Sequence, residues 1–166
     1  MTIVCNYMRL SLSELESLIA NSDKLDDFLY PENAINQRSV YINIFWHLIH
    51  FLLTGDAWNG DEVLRNLVIG GEELGEKDVG FGESVRYLVP HQVKATYEAV
   101  KNVTPDQLWS RFDKKAVTDA YIYPIGYWSG SSEESAKECV LDYFDKLKEF
   151  FKIAVKHKQA MLIWFS

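Results

Sequence analysis

An α+β fold, with a small mixed sheet that includes strands from both chain ends and is covered by several helices, is predicted by three observations. Segment 2–10 is rich in β-branched and aromatic residues on alternating faces, and 160–165 (AMLIWF) is an apolar run of strand length. Between them, helix-start signals recur ahead of apolar residues at helical spacing. With 166 residues, 48% hydrophobic and 14% aromatic, the chain can bury one full core, and a single domain over 1–166 is expected. No internal repeat or low-complexity segment marks a second one.

In strand 2–10, Ile3, Cys5 and Tyr7 share one face, and Val4, Asn6 and Met8 the other. Ser11 followed by Glu14 is a capping box, so a helix runs from Ser11 or Leu12 to about Asn21 on the stripe Leu12, Leu15, Leu18 and Ile19. Residues 23–28 form at most a short helical turn, stopped by Pro31. Over 42–53, Ile42, Phe45, Trp46, Ile49 and Leu53 recur at helical spacing while Ile44, Leu48, Phe51 and Leu52 fill the remaining circumference, which predicts a central helix buried on most sides. Gly55 suits its left-handed cap. Asp61 caps a short helix through Leu67, ended by Gly70 and Gly71.

From Ile69 to Tyr87, five glycines alternate with charged residues, which predicts a tight loop system rather than an element, with a short strand at 85–88. Pro90 opens a helix to Lys101. Thr104, Pro105 and Gln107 start another, to about Phe112, and Asp113 caps one to about Ala120. The aromatic, glycine-rich stretch to Ser132 reads as a loop held by ring packing. A long helix over 132–156 carries the stripe Ala136, Val140, Tyr143, Leu147, Phe150 and Ala154, and the 160–165 strand is expected to join the sheet of the first.

The formal charge of -7, from 24 acidic and 17 basic residues, argues against nucleic acid, which needs clustered Lys and Arg. The densest basic group, 146–158, is interleaved with acids and apolar residues as on a solvated helix face. No apolar run approaches the ~20 residues of a membrane span, and the first residues lack a signal-peptide pattern, so a soluble cytoplasmic protein is expected. Cys5 and Cys139 are too few for a disulfide framework or a paired-cysteine zinc site, and both read as buried free thiols.

With those pieces in order, the chain resembles the YfbM-like family of small bacterial proteins of unknown function. The resemblance rests on NYMRLS, FLYP at 28–31, WHLIHFLLTGDAW at 46–58, VIGGEELGEKDVGFG with RYL behind it, RFD at 111–113, IYP at 122–124 with Trp128, and the final AMLIWFS. The chain departs from the family at Asn43, Ile44 and Phe45, where members often carry an acid and a lysine, and at Val89, where a threonine often caps the next helix. The resemblance implies one bacterial, cytosolic α+β domain and assigns no reaction.

The segment 46–58 is the focus for chemistry. His47 and His50 are neighbours on one helix, yet a zinc site needs a third ligand and the HExxH spacing is missing, so no metal or cofactor is expected. The glycine loop lacks the Lys and Ser or Thr of a phosphate loop, and its carboxylates repel phosphate. Glu72, Glu73, Glu76 and Asp78 offer oxygen ligands without EF-hand spacing. Ser84, Ser129, Ser131 and Ser132 stand in no nucleophile elbow.

Two readings remain open. In the first, Trp46, His47, His50, Asp56, Trp58, Arg86, Tyr87, Tyr123 and Trp128 form a ligand-binding surface at the end of the WH helix, aromatic and acidic, and the protein is a non-enzymatic module for another protein or a small molecule. In the second, His47 or His50 acts with Asp56 or another carboxylate in a cleft as an enzyme. The second requires a solvent-reachable imidazole hydrogen-bonded to a carboxylate. Oligomeric state is not legible.

Overall fold

The computed structural model describes residues 2–31, 38–78, 84–130 and 133–166, with the side chains of 76–78 left aside. Strand β1 (Cys5–Leu10) leads into α1 (Leu12–Ala20), a 3-10 turn (Ser22–Lys24), α2 (Leu25–Leu29) and β2 (Ser39–Ile42). Helices α3 (Trp46–Thr54) and α4 (Glu62–Arg65) precede the pair β3 (Glu72–Asp78) and β4 (Ser84–Leu88). Then come α5 (Pro90–Val100), α6 (Pro105–Trp109), α7 (Lys114–Asp119), α8 (Tyr127–Gly130), the long α9 (Glu133–Lys156) and β5 (Ala160–Phe165).

The α+β class holds, with one change. The sheet order is β2-β1-β5-β4-β3 and every pairing is antiparallel, not mixed. Strand β5 lies in the middle and all six of its residues are buried, because both its faces are covered. One face, carrying Cys5, Tyr7, Met161, Ile163 and Phe165, packs into the core with α3, α5 and α9. The other, carrying Met8, Leu10, Leu162 and Trp164, packs on Leu15 and Leu18 of α1 and Leu25 and Leu29 of α2.

The caps read from sequence are present. Ser11 and Glu14 bond reciprocally, at 3.0 and 3.1 Å, as do Thr104 and Gln107, at 2.9 and 3.1 Å. Val89 has no side-chain oxygen to cap α5, but Gln92 Oε1 still accepts the Val89 N–H at 2.9 Å. Gly55, with φ +75°, ends α3 in the left-handed region.

Three expectations are corrected. The central helix begins at Trp46, not at 42, because Ile42 belongs to β2 and pairs with Cys5. Ile42 and Trp46 share a core across a turn, so their helical spacing is coincidental. The glycine-rich segment contains β3, an edge strand whose register with β4 shifts between Glu73 and Asp78. Of its described side chains only Leu74 is fully buried, so its alternation is invisible in sequence. Cys139 is exposed on α9, while Cys5 is buried and free, its thiol pushed up to about 12 by burial. Gly80, Gly82, Ser131, Ser132 and the side chains of Glu76 and Asp78 lie outside the described residues.

Gly71 sets the entry to β3. Its φ is +97°, and a Cβ there would lie 2.8 Å from the Tyr87 carbonyl oxygen, a ladder partner that cannot retreat. Gly71→Ala is expected to cost about 1–3 kcal/mol in urea unfolding, and a loss below a few tenths would contradict this account.

Candidate functional site

The nine residues of α3 span about 13 Å, and the loop after Gly55 folds back along that length to reach the helix's first turn. The returning loop is itself braced. Asp56 Oδ1 accepts the Trp58 and Asn59 N–H groups at 3.0 and 2.8 Å, and these bonds hold its carboxyl below the usual range. His47 then fastens the loop: its ring lies 2.7 Å, through Nε2, from the carbonyl of Ala57. Its other nitrogen, Nδ1, accepts the N–H of Tyr123 at 2.9 Å. A backbone N–H can only donate, so Nδ1 is bare, the proton is on Nε2, and that proton is given to Ala57. One neutral imidazole thus ties the 55–60 loop to the segment between α7 and α8.

The rings around it form a continuous stack. Trp46 lies against His47 at 5.1 Å and Tyr123 at 5.5 Å, both nearly parallel, and against Phe165 at 4.5 Å. Its indole N–H donates to the Ile3 carbonyl at 3.0 Å, while the Ile3 N–H donates to the Tyr123 hydroxyl at 2.9 Å. Trp58 caps the stack, 4.3 Å from His47 and 6.4 Å from Trp46, yet it is 55% exposed. Two more large apolar side chains on the tied segment face water, Tyr121 at 72% and Ile125 at 69%.

His50 is fully buried one turn on. Its Nε2 lies 3.4 Å from Thr54 Oγ1, and its Nδ1 is buried with no hydrogen-bond partner among the described residues. Burial, with the nearby His47 and Arg65 adding to it, pushes this ring down to about 4, while Asn59 and Asp56 act in the opposite sense. Burial also lowers His47, opposed by the Ala57 carbonyl. Neither imidazole is reachable from solvent, and the described Asp56 bonds go to backbone, so the geometry lends the His–carboxylate reading no support.

Of the residues singled out in sequence, Trp46, His47, Trp58 and Tyr123 meet directly, with Asp56 and His50 beside them. Arg86 joins through Phe165, its guanidinium 5.0 Å over that ring. It is 8% exposed and donates to the Gly70 and Val68 carbonyls at 2.9 and 3.1 Å, so it clamps the α4–β3 connection instead of offering a surface charge. Tyr87 stands apart. Adjacent strand residues point to opposite faces, and Tyr87 lies over the α1–α2 core with its hydroxyl on Glu72 at 2.8 Å. Trp128 packs with Phe45, Phe112 and Tyr127.

Sequence reasoning missed Ile3 and Phe165, which needed the sheet pairing to be placed. It also missed Tyr121 and Ile125, whose signal was large apolar residues flanking IYP in a loop. The remaining motif residues serve the frame: Arg111 donates to the Leu52 carbonyl at 3.1 Å, Phe112 stacks on Trp109, and Asp113 caps α7. A hollow of about 630 Å³ lies elsewhere, lined by Ser13, Glu14, Lys24 and Phe28 among others. Among the described residues no group of three metal-ligating side chains converges, and no helix is long and apolar enough to cross a membrane.

Residues 1–164 match the family described as Domain of unknown function (DUF1877). The chain belongs to that family. A crystal structure of YfbM from Escherichia coli, titled a protein of unknown function, has the same fold: TM-score 0.74 at 18% identity, covering 98% of this chain and 99% of that one. No curated protein matches. The DUF1877 fold thus comes with no inherited reaction, and the His47 latch must be read on its own chemistry.

Proposed function

We propose that this protein is a non-enzymatic binding module that docks a protein segment on Trp58, Tyr121 and Ile125, across the two loops joined by His47. One observation carries the reading: an indole left half-exposed although its inner edge rests on a fixed stack of buried rings. A pre-positioned aromatic loses little entropy on binding, which is why Trp and Tyr dominate interface energetics. The chemistry of this surface also favours one charge. Asp56, Asp61 and Glu62, within four residues of Trp58 in the sequence, are exposed, in a chain of net charge -7. A partner with Lys or Arg beside an apolar side chain matches both features, through cation–π contact and charge attraction.

The test is selection of a random peptide library on the wild-type chain, followed by affinity measurement on variants. Peptides pairing a basic with an aromatic or aliphatic residue are expected. Their affinity should fall about 30-fold or more in Trp58→Ala, the effect of a hot-spot truncation of ~2 kcal/mol. Binders indifferent to Trp58→Ala and Tyr121→Ala would remove the proposal.

A further inference from the structure

We infer that His47 is a proton-operated latch: a proton on its Nδ1 expels the Tyr123 amide, frees the 121–126 segment and dismantles the Trp58, Tyr121 and Ile125 surface under mild acid. The inference rests on the binding reading above and adds its regulation.

The geometry admits the neutral ring only. Nδ1 is filled by the Tyr123 N–H at 2.9 Å and Nε2 by the Ala57 carbonyl at 2.7 Å. A second ring proton therefore sets two N–H groups against each other, and one must move. The titratable and charged groups around the ring come from several elements. On α3, His50 is buried one turn on, its Nδ1 unbonded among the described residues. Asp56 holds the Trp58 and Asn59 amides through Oδ1, and its charge acts on His50. Arg65 on α4 and Arg111, bound at the Leu52 carbonyl, are cations. The Tyr123 hydroxyl already accepts from Ile3. The indoles of Trp46 and Trp58 attract a positive charge but accept no hydrogen bond in the ring plane.

The moving part is also identifiable. Helix α3 is fixed in the core by Leu48, Ile49, Leu52 and Leu53, all buried. The 121–126 segment is anchored by buried Ile122 and by the stacked Tyr123 ring, but Tyr121 and Ile125 face water, and Tyr121 sits at φ +54°, a conformation unfavourable for a side chain of that size. Losing the His47 bond lets that segment relax. Burial lowers the basicity of His47, so release sets in below pH 6.5, the value of an unperturbed imidazole.

The experiment is amide exchange and ring-nitrogen NMR on the full-length labelled chain from pH 7.5 to 5. Protection of the Tyr123 amide, relative to its intrinsic exchange rate, is expected to fall by up to tenfold per pH unit below 6.5, the slope of a single linked proton. The amide of Ile163 in β5 should keep its protection. His47→Gln should flatten the Tyr123 response and His50→Gln should preserve it. Should His47→Gln fail to fold, the wild-type ring decides: Nδ1 of His47 must gain its proton over the same pH range in which Tyr123 opens. Constant Tyr123 protection, loss in step with Ile163, or an Nδ1 that stays bare to pH 5 overturns the latch. A separate arm measures the affinity of library-selected peptides at pH 7.5 and 5. A latch that opens while affinity holds overturns the regulatory claim and the surface reading together, whereas a closed latch overturns this inference alone.

Discussion

Trp46→Ala is expected to destabilise the protein by about 3–5 kcal/mol, the range for deleting a large buried aromatic. The cost arises because the indole serves four structures at once. It is 4% exposed, contacts Phe165 of β5, Tyr123 of the tied segment and both His47 and Trp58, and donates to the Ile3 carbonyl. Alanine leaves a cavity between the sheet and α3 and an unpaired carbonyl beside it. Trp46→Phe separates the two contributions. It keeps most of the ring volume but removes the N–H, so about 1–2 kcal/mol is expected from the Ile3 carbonyl and the residual gap. Urea unfolding gives both numbers, provided the slope against denaturant is unchanged. A loss under ~1 kcal/mol in the alanine variant would show that the ring stack is not a structural centre.

The second large effect is a loss of stability in acid. His50 is buried as a neutral ring at about 4, against about 6.5 for an unfolded imidazole. Between those values the unfolded chain binds a proton that the folded chain refuses, so stability falls as pH falls from 6.5 toward 4 and is regained on the way up. For His50 alone the loss is about 2 kcal/mol at pH 5, with His47 adding in the same direction. The carboxylate contribution is separable. Glu14 is held low by the Ser11 N–H and by Arg38, whose Nη1 lies 2.9 Å from each of its oxygens, so its stabilisation is lost only below about 4.5. Urea titrations at pH 7 and 5 therefore read the histidines. His50→Gln is expected to remove most of the difference, and an undiminished difference in that variant would refute the assignment.

What the sequence revealed follows from where the physics is local. Ser11, Asp61, Thr104 and Asp113 announced their helices because a cap acts within three residues of itself. The long α9 announced itself by its stripe. Strands β2 and β3 did not, since one is four residues long and the other is an exposed, glycine-broken edge. The site divides along the same line. Trp46, His47 and Trp58 lie within one motif, and IYP supplied Tyr123. The division of Arg86 from Tyr87 needed only the two-residue period of β4, which a cleft drawn through both overlooked. That Tyr123 gives its amide to His47 is a contact across 76 residues, which no local pattern encodes.

The place of β5 has a consequence for biosynthesis. It is the middle strand of the sheet, yet it follows the other described elements in sequence, and both apolar cores close against it. On the ribosome, β1 with β2 and β4 with β3 can pair as separate ribbons, each with an unsatisfied inner edge, but they cannot join until 160–165 clears the exit tunnel. Emergence of 160–165, rather than that of the first helices, sets the moment at which this fold acquires its cooperative stability.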